Sequence, residues 1–249
     1  MPRNKIKPTP KLIAYCVKFF FRISAFAIMI FLYIKDKQAF FEYTATPISE
    51  GINFMHVMWC VYMGLMTLHL FPLKFLSMGA GKAVKGNFQP VPNYSKEKLA
   101  EFVKQENKSA GNCMIVWLAG NAVVGIFYFM GIIGKPELLL LTGFYFISDY
   151  ICILIFCPFQ TFGMKNKCCI NCRIYDWGHF MMFTPMVFVG SFYCLSLFLM
   201  GTAVILHWEY FWRKYPERFW WGSNQILHCA NCREKTCQIK KAVRNSLVN

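Results

Sequence analysis

Long apolar runs alternate with short polar segments along the chain, at residues 12–34, 52–76, 113–133 and 138–157. Each holds about the 20 residues that a helix needs to cross the hydrocarbon core of a bilayer. Between the third and fourth runs, Gly134-Lys135-Pro136-Glu137 leaves room only for an antiparallel helical hairpin, and Pro158 closes the fourth. A fifth apolar region, residues 177–212, is interrupted only by His179, His207 and Glu209. As one straight helix it would measure about 54 Å, longer than a bilayer core yet short for two full crossings. Pro185 and the Gly190-Ser191 pair are the places where it should break, giving a half-helix to Val189 and then a longer helix. The pattern predicts an all-α polytopic membrane bundle of four spans plus this broken or re-entrant fifth region, covering residues 1–212. A short Cys-rich tail, residues 213–249, follows it.

The longest polar connection covers residues 77–112. Its second half, residues 95–110, reads as a short amphipathic helix with Ser95 as N-cap and Leu99, Phe102 and Val103 on one face. Its first half holds Gly79-Ala80-Gly81-Lys82, which lacks the spacing and the Ser or Thr of a phosphate loop and predicts a flexible loop.

Composition agrees with the membrane reading. Charged residues make up 16% of the chain, against about 25% in soluble domains. The net charge of +15 is spread over the segments between apolar runs, a placement that argues against nucleic-acid binding. Four Lys and Arg precede the first run, six lie in residues 77–112 and three in residues 160–176, whereas the alternate connections carry two and one. The tail adds eight, with only Glu217 and Glu234 as acids. This asymmetry predicts a bacterial-type plasma-membrane protein with its N-terminus and tail cytoplasmic, so residues 177–212 must return to the side they left. No cleavage site follows the first run, which reads as a retained helix whose early turns, with Lys18 and Arg22, lie at the interface. The aromatic and basic stretch from His207 to Trp221 reads as an interfacial belt.

Of the twelve cysteines, Cys16, Cys60, Cys113, Cys152, Cys157 and Cys194 lie in apolar runs and behave there as small hydrophobes. The other six form two echoing motifs. Cys168-Cys169-Ile170-Asn171-Cys172-Arg173 follows the fourth run, and His228-Cys229-Ala230-Asn231-Cys232-Arg233 lies in the tail, with Cys237 beyond it. A Cys-x-x-Cys turn aims two thiolates at one centre, so a matched pair of turns suits tetrahedral Zn²⁺ or an iron–sulfur cluster. Lys165, Lys167, Arg173, Arg233 and Lys235 are expected to lower the thiol pKa values. Cys169, Cys172, Cys229 and Cys232 are the expected core of the set. Six thiolates exceed what zinc needs, which favours an iron–sulfur cluster with Cys168 and Cys237 as further ligands.

Asp149 in the fourth run and Asn121 in the third should face each other across the hairpin. An intramembrane carboxylate suggests a proton path or a neutral interhelical hydrogen bond. His56 and His69 lie 13 residues apart, as haem-ligating pairs do, but His179 and His207 do not match that spacing, so packing is the better reading. The sequence therefore predicts a lipid-embedded electron carrier. A soluble redox partner would pass electrons to the chain's own cysteine-ligated iron–sulfur cluster, a membrane acceptor such as a quinone would receive them, and Asp149 would handle coupled protons. A zinc knuckle on a transporter or assembly factor is the alternative.

Overall fold

The computed structural model describes residues 9–71, 73, 77–166 and 168–248, the last few by their backbone. The chain is all-helical, with 75% of it in helix and no strand among the described residues. Thr9 caps α1 (Pro10–Lys35) by accepting from the Leu12 amide, and Pro10 supplies the preset first turn. Asp36 ends α1 and caps α2 (Lys37–Ala45) through the amides of Gln38 and Ala39. Asn53 and His56 form a reciprocal capping box at the start of α3 (Phe54–His69), while His56 Nε2 also meets the Thr46 carbonyl at 2.8 Å. His56 is thus a capping residue, in keeping with the packing reading.

Among the described residues, four helices are long and apolar enough to cross a membrane: α1, α5 (Lys96–Phe129), α6 (Lys135–Leu154) and α9 (Phe192–Lys214). The second apolar run is shorter than its composition suggests, because α3 ends at His69. The amphipathic helix and the third run are one continuous 34-residue helix, α5, with Ser95 as its N-cap. Large apolar side chains project outward from these helices, among them Phe20, Val116 and Phe129 at 68–78% exposed, a surface suited to lipid.

Residues 177–212 break as their sequence predicts. α7 (Gly178–Phe183) and α8 (Met186–Val189) lead to Gly190, which takes a left-handed φ of +72°, and Ser191 caps α9. α7 packs on α9 so closely that a Cβ at Gly201 would lie 3.2 Å from the His179 backbone. The two ends of the segment consequently meet. Trp177 Nε1 donates to Glu209 Oε1 at 2.8 Å, and Trp208 Nε1 donates to the Arg173 carbonyl at 2.9 Å.

The polar residues inside the bundle find other partners than the sequence suggested. Arg22 is buried rather than interfacial. Its guanidinium holds Asp149 Oδ2 at 2.8 Å and lies 4.1–4.2 Å from the Phe146 and Tyr150 ring centres. Asp149 therefore joins α6 to α1 and does not face Asn121, which donates to its own helix at Trp117 O. An ion-paired carboxylate already has its counter-charge, which removes the main reason to assign Asp149 a proton path.

A cap of α4 (Met78–Gly81), the 168–177 segment, the end of α9 and the tail closes one end of the bundle. Trp208, Trp212 and Phe219 are 1% exposed there, so these three build a protein core, while Tyr210 and Trp221 of the same stretch remain exposed. The presumed flexible loop is also buried. Gly79 is required because a Cβ would lie 2.4 Å from the Tyr175 ring, and Lys82 is 1% exposed. Lys82 Nζ donates to the carbonyls of Ile170 and Cys172, both at 2.7 Å.

Burial lowers the Lys82 pKa from 10.5 to about 8. The unfolded chain then holds this proton more tightly than the folded one, so the cost of the buried charge is full below pH 8 and is relieved between pH 8 and about 10.5. We expect the stability of the wild type relative to Lys82→Met, measured by denaturation in detergent, to improve with pH across that window. A pH-independent difference contradicts the buried, charged lysine.

Candidate functional site

The first cysteine motif is a turn whose backbone is clamped from outside. The Cys172 amide donates to the Cys169 carbonyl at 3.0 Å, and Lys82 fixes the carbonyls of Ile170 and Cys172. Arg173 follows. It is 3% exposed, makes a two-pronged ion pair with Glu209, and stacks 4.2 Å over the Trp212 ring. The basic flank is therefore not a thiolate-stabilising field as the sequence suggested. Arg173 is committed to a carboxylate, and Lys167 lies outside the described residues.

The second motif forms a helical turn over Cys229–Asn231. Its Cys232 amide donates to the Cys229 carbonyl at 3.3 Å, and the Lys235 amide donates to Cys232 Sγ at 3.4 Å. Lys235 takes a left-handed φ of 49°, which turns the chain sharply before α10 (Cys237–Val248). Glu234, 1% exposed, anchors the tail: Oε1 accepts from the Met78 amide and Oε2 from the Tyr15 hydroxyl at 3.2 Å. The tail is thus docked on the starts of α4 and α1.

The six motif thiols sort into three environments. Burial, first, and then the neighbouring thiols of Cys168, Cys232 and Cys229 push the Cys237 thiol up. This set draws one residue from the first motif and three from the second. Cys169 points elsewhere. Its sulfur meets Gln160 Oε1 at 2.9 Å and Lys240 Nζ at 2.8 Å, and it is raised by burial against the cation's opposing pull. Cys172 is buried beside Lys82, and its thiol is pushed up to about 12 by desolvation, which the Lys82 charge only partly offsets. Cys169, Cys172 and Cys237 are all raised, the reverse of the lowering that their basic neighbours suggested. Among the described residues no three Cys, His, Asp or Glu side chains are already gathered as a metal-holding group. The donor chemistry of the Cys168, Cys229, Cys232 and Cys237 set nevertheless suits a thiophilic ion: four sulfurs, one of them accepting a backbone N–H.

A second polar cluster was not expected as a unit. Both carboxylate oxygens of Asp176 meet His69 Nδ1, at 2.9 and 3.1 Å, and the His179 ring stands edge-on 5.0 Å from His69. His69, Asp176 and His207 share a cavity of about 220 Å³ with Lys85 and Arg218. Residues 69 and 176 come from distant elements, so no local spacing marks the pair. The one sequence signal is the run Tyr175-Asp176-Trp177-Gly178-His179 directly after the first motif.

Comparison with protein-family models, with curated proteins and with solved structures gives no match.

Alkylation with N-ethylmaleimide at pH 8 reads these environments directly, since thiolates react and buried thiols do not. Cys172 is expected to remain unmodified in the folded protein, by peptide mass spectrometry, and to react fully after denaturation. Modification of Cys172 in the folded protein at the rate seen after denaturation contradicts its burial.

Proposed function

We propose that the chain is a polytopic integral membrane protein whose basic tail is fastened to the cytoplasmic end of the bundle by a four-cysteine metal centre. Cys168, Cys229, Cys232 and Cys237 are its ligands; the reading is supported by the echo of the two Cys-x-Asn-Cys-Arg motifs and by the electrostatic influence of Cys168, Cys229 and Cys232 on the Cys237 thiol. The preference for an iron–sulfur cluster rested on six thiols being available in one place. With Cys169 bonded to Gln160 and Lys240, and Cys172 buried under Lys82, four remain, which is the complement of a closed tetrahedral Zn²⁺ site. Structural zinc supplies folding free energy by cross-linking chain segments that otherwise bury little. Residues 213–227 are packed into the cap, with Phe219, Ser223 and Asn224 at most 1% exposed, whereas residues 228–240, which carry the cysteines, reach the bundle chiefly through the polar contacts of Glu234 and Lys240. The positive charge of the 77–112 segment, the 160–176 segment and the tail supports a cytoplasmic location for all three. The re-entrant path of α7 and α8, with its break at Gly190, allows residues 172 and 229 to lie on one side of the membrane.

An iron–sulfur centre that passes electrons to a quinone uses the same ligands, and metal content separates the two. Protein purified without oxygen is expected to be colourless and to carry about one zinc per chain, the stoichiometry of a closed four-thiolate site. Cys168→Ser, Cys229→Ser, Cys232→Ser and Cys237→Ser should each lose most of it and leave the tail open to trypsin, whereas Cys169→Ser and Cys172→Ser should retain it. Brown protein containing iron and sulfide supports the electron-transfer reading. Metal lost from the Cys169 and Cys172 variants but kept by Cys168→Ser contradicts the assignment of ligands.

A further inference from the structure

The cavity below the cap lies between the end of α3, α4 and the end of α9, and its wall is sorted by chemistry. Leu70, Val84, Trp208 and Phe211 are apolar, while His69, Lys85, His207 and Arg218 supply positive charge or hydrogen-bond donors. The one acid, Asp176, is committed through both oxygens to His69 Nδ1, which leaves the opposite nitrogen of that ring for the cavity. Arg218 is 6% exposed. One of its N–H groups binds the Ala83 carbonyl at 2.9 Å, and its face lies 3.7 Å over Tyr215. Among the described residues, Nζ of Lys85, both ring nitrogens of His207 and Nε2 of His69 meet no hydrogen-bonding partner. A buried, held guanidinium, the exposed ammonium of Lys85 and two imidazoles around unfilled space, with their single carboxylate already paired, are complementary to a compact anion.

We infer that this cavity is a binding site for a phosphate group, held by Lys85, Arg218, His207 and Nε2 of His69. Arginine and lysine together suit a tetrahedral oxyanion, the guanidinium through paired N–H groups and the ammonium as a point charge. Size limits the ligand. At about 220 Å³ the cavity is below the roughly 300–1,000 Å³ of pockets that enclose whole small molecules, so it accommodates a headgroup or a free ion. Its aromatic wall, at the ends of two apolar helices, allows the rest of a phospholipid to continue along the bundle surface. The site shares no residue with the proposed metal centre, and the two stand or fall separately.

The test uses the full-length protein in detergent, titrated calorimetrically with inorganic phosphate, with dioctanoyl phosphatidic acid and with dioctanoylglycerol, which lacks the phosphate. Saturable binding of inorganic phosphate or phosphatidic acid is expected, with none of dioctanoylglycerol. At least one of Lys85→Gln and His207→Gln should weaken it about tenfold or more. Each variant's unfolding temperature without ligand is measured alongside, and a variant that is not folded is replaced by Lys85→Ala or His207→Asn. Phosphatidic acid binding tenfold or more tightly than inorganic phosphate identifies a lipid headgroup as the source, and comparable binding identifies the free ion. Absence of saturable binding, equal binding of dioctanoylglycerol, or affinities unchanged in both folded variants overturns the site.

Discussion

A buried ammonium group sets the architecture of the cap. A charge that leaves water costs several kcal/mol unless polar partners replace its hydration. Lys82 has as partners two backbone carbonyls of the first cysteine turn and the faces of Tyr175, Trp208 and Phe219 at 5.4–5.9 Å. Those contacts tie three stretches of chain to one point: the α4 turn, the Cys169–Cys172 turn and the end of α9. Arg173 with Glu209 and Glu234 with Met78 and Tyr15 repeat the device at neighbouring positions. The cap is therefore held by a few directional contacts to buried charges, set among tryptophans, while the bundle beneath presents apolar side chains outward.

This arrangement gives the cysteines different fates despite their matched sequence. Cys169 meets Lys240 and Gln160, Cys172 is covered by the Lys82 clamp, and Cys168 acts electrostatically on the tail thiol of Cys237. A metal at the last group would complete what Glu234 begins by fixing the tail against the bundle. The same cap roofs the His69–Asp176 cavity, since Trp208 and Arg218 take part in both.

Much of the bundle was legible from local signals. Ser95 as an N-cap, the break at Gly190-Ser191 and the tight 134–137 connection each rest on a few neighbouring residues, and each appears where the pattern puts it. What the pattern missed depends on contacts between distant elements. Gly79-Ala80-Gly81-Lys82 reads as a loop until Tyr175, from another segment, is seen to occupy the space of the missing Cβ. Trp208 and Trp212 have the composition of a lipid-facing belt, and only the return of α7 along α9 shows them covered by protein. Arg22, in the first run, could be read as interfacial because its partner Asp149 lies 127 residues away. The echo between the two cysteine motifs signalled thiolate chemistry, but the contacts that set Cys169 and Cys172 apart, to Lys240 and Lys82, come from distant segments and leave no trace in the motif spacing.

X-ray absorption at the metal edge of the purified, full-length protein tests the central claim most directly. The account predicts zinc with a single shell of four sulfurs at about 2.3 Å, present in the wild type and in Cys169→Ser and absent from Cys237→Ser. A shell containing nitrogen or oxygen in place of sulfur, or iron with a second iron scatterer, contradicts the four-cysteine zinc clamp.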